Sequence, residues 1–99
     1  MMRWAQMDQH VSNVARQTTL AMIAARADGA TVCPSEVARA LATSRGAAEN
    51  WRASMPVVHY VVDELLAEGL VGISWKGRAL PTRSGPYRLH PGTAGRSQD

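Results

Sequence analysis

Residues 57–76, VVHYVVDELLAEGLVGISWK, constrain the chain more tightly than any other stretch. Val58, Val61, Val62, Leu65 and Leu66 recur at the spacing of one helical face, with Asp63, Glu64 and Glu68 among the positions between them. Gly69 follows, and a residue without a Cβ enters the left-handed conformation that closes a helix at little cost. Leu70, Val71, Ile73 and Trp75 then favour a strand, and Gly77 opens a turn rich in arginine. The pattern predicts a helix, a sharp stop and a ribbon leading into a basic turn.

Upstream, Asp8 or Ser12 can cap a first helix reaching about Ala27, with Val11, Val14, Leu20, Ile23, Ala24 and Ala27 on its apolar side. Asp28-Gly29-Ala30 ends it, and Thr31 and Val32 suit a strand of one or two residues. Pro34 belongs at a first helical position, so a second helix over about 34–43 buries Val37, Ala38 and Leu41. Thr43-Ser44-Arg45-Gly46 breaks the pattern, and Asn50 can cap a short helical segment through Trp51 and Arg52. Pro56 fits the first turn of a third helix over 56–68. Strands follow at about 70–76 and 85–90, joined by an irregular wing containing Gly77, Pro81, Ser84, Gly85 and Pro86. The expected fold is mainly α with a small β-hairpin: a winged helix-turn-helix with a three-helix core and a two-stranded wing. Residues 1–7 read as a flexible extension, 8–90 as the domain and 91–99 as a disordered tail.

Ninety-nine residues suit one domain, long enough for a core without metal or disulfide staples. The single Cys33 has no partner for an intramolecular disulfide, and no run approaches a membrane span, so a cytoplasmic location is expected. Residues 1–69 hold six Arg against seven Asp and Glu, whereas residues 70–99 hold Lys76, Arg78, Arg83, Arg88 and Arg96 against Asp99. The positive charge is thus concentrated in the hairpin and tail, where it can meet phosphate or simply face water.

Four words carry a resemblance: TVCPSEVARAL at 31–41, WRASMP at 51–56, LLAEGLVGISWKGRAL at 65–80 and GPYRL at 85–89. Together they resemble the domain of unknown function 3253, a small bacterial family, over roughly residues 14–90. The resemblance implies a winged-helix-like fold and brings no activity, cofactor or catalytic residue with it. Asn50, Ser54 and Tyr87 depart from the usual pattern.

A DNA-binding winged helix lays its third helix in the major groove and its wing on the backbone. Here the outward positions of that helix are Pro56, Val57, His59, Tyr60, Asp63, Glu64 and Glu68, with no Lys or Arg and three carboxylates facing a polyanion. Against this, Arg45, Arg52, Tyr60, Lys76, Arg78 and Arg83 are the candidate contacts to double-stranded DNA. The rival reading is a protein-interaction module that uses Val57, His59 and Tyr60 with Trp51 or Trp75 as an apolar patch. A homodimer through the first helix is a further expectation. Trp51 and Trp75 are each expected in the core first, and Arg39 and Arg52 either face water or pair with Glu36 and Glu49.

Cys33 lies at a helix entrance that favours thiolate, but His10, His59 and His90 fall on other elements, so an inert thiol is expected. The sequence has no C-x-x-C or H-x-x-x-H spacing, and adjacent Asp63 and Glu64 point apart on a helix. No enzyme, metal or cofactor is expected.

Overall fold

The computed structural model describes the backbone of residues 2–26 and 30–92, and side chains from residue 9 onward. Helix α1 spans Met2–Ala24, α2 Pro34–Ser44 and α3 Met55–Ala67, with a 3-10 segment at Ala48–Ser54 running into α3. Strands β1 (Val71–Trp75), β2 (Arg78–Leu80) and β3 (Arg88–Pro91) form an antiparallel sheet in the order β2-β1-β3.

The apolar stripe of α3 faces inward as its periodicity predicts: Val58, Val61, Val62 and Leu65 are fully buried. Burying each such side chain stabilises the fold by roughly 1.5–3 kcal/mol. Val37, Ala38 and Leu41 of α2 meet them in the same core. On α1 the deepest seam is Ala15, Thr19 and Ile23, whereas Ala24 is exposed and Ala27 lies outside the described residues. Periodicity found Ile23 but missed Ala15 and Thr19, because one is small and the other polar. Thr19 enters the core because its hydroxyl donates to the Ala15 carbonyl at 2.7 Å, leaving no buried donor unpaired.

Both helix ends flanking the middle of the chain close alike. The amides of Gly46 and Ala47 donate back to Thr43 and Ala42, and those of Gly69 and Leu70 to Leu66 and Leu65. Gly69 takes φ +77°, the conformation expected of it. Pro34 stands at the start of α2 behind Cys33, whose backbone is extended.

Several boundaries differ from expectation. α1 begins at Met2, ahead of both capping candidates and through residues read as an extension, and the Ser12 hydroxyl donates to the Gln9 carbonyl one turn back. The 3-10 segment at 48–54 starts earlier than expected, at Ala48, and kinks at Asn50, whose non-helical backbone stands directly before Trp51 as anticipated. The wing has three strands, not two. The turn residues Lys76 and Gly77 both have positive φ, which folds Trp75 directly against Arg78 in a two-residue hairpin and brings Arg78–Leu80 into the sheet. Lys-Gly lacks the Asn or Asp that would have signalled this turn. Pro91 belongs to β3 and Gly92 is buried, so the first two residues of the expected tail are part of the fold, while 93–99 lie outside the described residues.

Thr31 and Val32 yield a single bridge: Val32 exchanges both backbone hydrogen bonds with Leu89, at 2.9 and 2.8 Å. The segment between α1 and α2 is thereby tied to β3, and the three helices and the sheet close on one core.

Candidate functional site

The outward surface of α3 is less acidic than its sequence. Arg83 reaches from the β2–β3 connection and places Nε and an Nη on the two carboxylate oxygens of Asp63, both at 2.9 Å. Arg16 of α1 grips Glu68 in the same two-point manner at 3.0 and 2.9 Å and lies 3.7 Å from Glu64. These hydrogen bonds hold the Asp63 and Glu68 carboxyls below their ordinary range. All three carboxylates counted against a polyanion therefore have an arginine beside them. Arg83, expected on phosphate, is engaged by Asp63.

His59 and Tyr87 make a second tie between α3 and the β2–β3 connection. Nδ1 and the phenol oxygen are 2.7 Å apart, and the rings sit 5.7 Å centre to centre. Burial lowers the His59 pKa and the Arg83 charge lowers it further, against the opposing pull of Asp63. Burial likewise pushes the Tyr87 phenol well above its usual value. Both rings are held neutral. Because Val57 and His59 are half-buried, the exposed members of the anticipated patch of Val57, His59 and Tyr60 with Trp51 or Trp75 are Tyr60 and Trp75, at 56% and 38%.

Arg26 pairs with Glu36 and Arg88 of β3 donates to Thr31, and the other cations among the described residues fall in two places. At the helix corner, Arg45 follows the last turn of α2 and is exposed. Nearby in the chain, the Arg39 and Arg52 guanidinium carbons lie 4.5 and 4.6 Å from the centroid of the Trp51 ring. Trp51 is half-buried and packs against the core as expected, yet it also carries two positive charges. Neither arginine takes the carboxylate partner considered for it, since Glu36 pairs with Arg26 and Arg52 stacks instead of reaching Glu49. Arg39 was not among the expected contacts. An aromatic between arginines in a folded corner was the only available signal, and spacing does not reveal stacking.

At the other place, Lys76 lies in the β1–β2 turn and Arg78 directly follows it, both exposed. Trp75 alternates with buried Val71 and Ile73 as expected, but lies where β1 runs past the core and is 38% exposed. The tip thus carries an exposed aromatic residue next to Lys76 in the chain and opposite Arg78 in the sheet.

Cys33 has its sulfur 3.0 Å from the Ser35 hydroxyl. Burial raises the thiol pKa, but hydrogen bonds from Ser35 and Glu36 and the Arg88 charge outweigh it and bring it below the usual value. Among the described residues no group of three His, Cys, Asp or Glu is placed to hold a metal ion, and no helix is long and apolar enough to cross a membrane.

No curated protein matches the chain. Residues 12–91 match the family model described as protein of unknown function (DUF3253), and on that match over most of its length the chain belongs to this family.

Proposed function

We propose that this chain is a winged helix-turn-helix module that binds double-stranded DNA through the phosphate backbone, in a non-catalytic, cytoplasmic, transcription-related role. Its topology supports the fold: α1, the Val32 bridge, the α2–α3 pair, then a hairpin sheet in which β3 lies between Val32 and β1. One observation carries the function. The carboxylates of α3 are neutralised by Arg83 and Arg16, while Arg39, Arg45, Arg52, Lys76 and Arg78 contact no carboxylate among the described residues.

The outward side of α3 offers few donors to base edges, with exposed Pro56, Tyr60 and Ala67 beside the paired Asp63. Binding of this kind is led by phosphate and discriminates weakly between sequences. A salt titration of duplex binding tests it. The logarithm of affinity should fall with the logarithm of salt with a slope of about −3 to −5, since each phosphate contributes about −0.9. Arg45→Ala with Arg52→Ala, and separately Lys76→Ala with Arg78→Ala, should each flatten that slope by about 2. No binding at low salt sinks the reading. Exposed Tyr60 and Trp75 would then favour a protein partner.

A further inference from the structure

Arg39 and Arg52 converge on one indole, and that convergence has a chemical consequence. We propose that Arg39, Trp51 and Arg52 form a clamp for a phosphodiester of a nucleic-acid backbone, with Trp51 as its platform; the inference rests on the DNA-binding reading above. A guanidinium stacked on an aromatic ring uses its face, which leaves the N–H groups along its edge free to fork onto phosphate oxygens. Two such forks sit on the same ring, 4.5 and 4.6 Å from its centre.

Three features make this a binding device and not a pair of solvated charges. First, neither arginine has a carboxylate contact among the described residues, and Glu36, a helical neighbour of Arg39, is held by Arg26. Second, Trp51 is wedged against the core, so the platform is fixed while Arg39 and Arg52 remain exposed. Stacked side chains have less freedom to lose when a ligand arrives. Third, Trp51 and Arg52 belong to the 3-10 segment that runs directly into α3, at the corner where a backbone would pass if α3 faced a groove. Both guanidiniums lie over the half-buried ring, so the proposed mode is a fork onto phosphate and not a base stacked on Trp51. The ligand is the phosphate.

The test is binding of a fluorescently labelled duplex by the full chain, with folding of each variant checked by thermal melting. Arg39→Gln and Arg52→Gln should each weaken binding about tenfold at 0.1 M salt and reduce the salt slope by about 1, equally for unrelated sequences. Trp51→Leu removes no charge, yet it should also weaken binding, and that loss should vanish when both arginines are already Gln. Trp51→Phe keeps a ring and should retain most of the affinity. Wild-type affinity in Arg39→Gln overturns the clamp while leaving the DNA reading intact if Lys76→Ala with Arg78→Ala still weakens binding. Failure of the wild-type chain to bind any duplex overturns both. Competition by polyglutamate as strong as by unlabelled duplex overturns the choice of phosphodiester.

Discussion

Tyr87 and His59 illustrate how single residues set the behaviour of this fold. The Tyr87 ring is buried and its hydroxyl meets His59 at 2.7 Å, so Tyr87→Phe leaves the imidazole nitrogen without that partner and should destabilise the protein by about 1 kcal/mol in urea denaturation. The pH dependence has a definite sign. Burial first, then Arg83, lowers the His59 pKa in the folded state, Asp63 opposes them, and Tyr87 holds the ring on its inner side. The unfolded chain takes up the proton near pH 6.5 while the folded one resists it, so this contribution is complete above about pH 6.5 and is lost as pH falls through the lowered folded value. Denaturation midpoints should therefore decline on acidification from neutral pH, and His59→Gln should flatten that decline. Cys33 offers a separate check: its alkylation rate should rise with a midpoint below that of an ordinary thiol, and Ser35→Ala should move the midpoint upward.

At the scale of elements, steric fit at two glycines gives opposite expectations. A Cβ on Gly92 would collide with the backbone of Gly69, Leu70 and Val71, which no rotamer change relieves, so Gly92→Ala should destabilise by about 1–3 kcal/mol or more. The three atoms nearest a Cβ on Gly72 all belong to the His90 ring, a side chain able to swing away, and Gly72→Ala should be milder in thermal melts. The β1–β2 turn gives a gain instead: Lys76 stands at φ +53°, and Lys76→Asn, which tolerates that conformation, should raise stability by about 0.5–1 kcal/mol. These elements also show what was legible. Val58, Val61, Val62 and Leu65 announced α3 because a helix repeats its buried face, and Gly69 announced its end. Strand β2 stayed hidden because Arg78-Ala79-Leu80 is too short for alternation to register and its turn lacks Asn or Asp. Gly92 read as part of a tail because a close approach of backbones, unlike periodicity, leaves no local mark. Arg45, Arg52, Lys76 and Arg78 were readable as candidate cations from their places before the third helix and around the turn after β1, whereas Arg39 joins them through a contact with Trp51 that only folding creates.

For the molecule as a whole, charge counted along the chain and charge presented by the fold are different quantities. Residues 1–69 sum to one negative charge, yet two of their arginines and Arg83 from the β2–β3 connection close on Glu36, Asp63, Glu64 and Glu68, leaving the helix corner cationic. Each such pair lies in solvent and adds little to stability. What these pairs govern is the field that a polyanion meets. Asp63 and Arg83 make the point testable because breaking their pair from either side gives opposite results. Asp63→Asn removes a negative charge from the outward side of α3 and frees the Arg83 fork, so duplex binding should tighten several-fold at low salt and the slope should steepen by about 1. Arg83→Ala leaves Asp63 bare beside the backbone and should weaken binding by a comparable factor, although Arg83 itself is held by a carboxylate. Combining both changes should return the affinity close to that of the wild type, since a neutral pair replaces a neutralised one. Equal weakening by Asp63→Asn and Arg83→Ala would mean that the pair serves to position the wing, with its charge immaterial to the ligand.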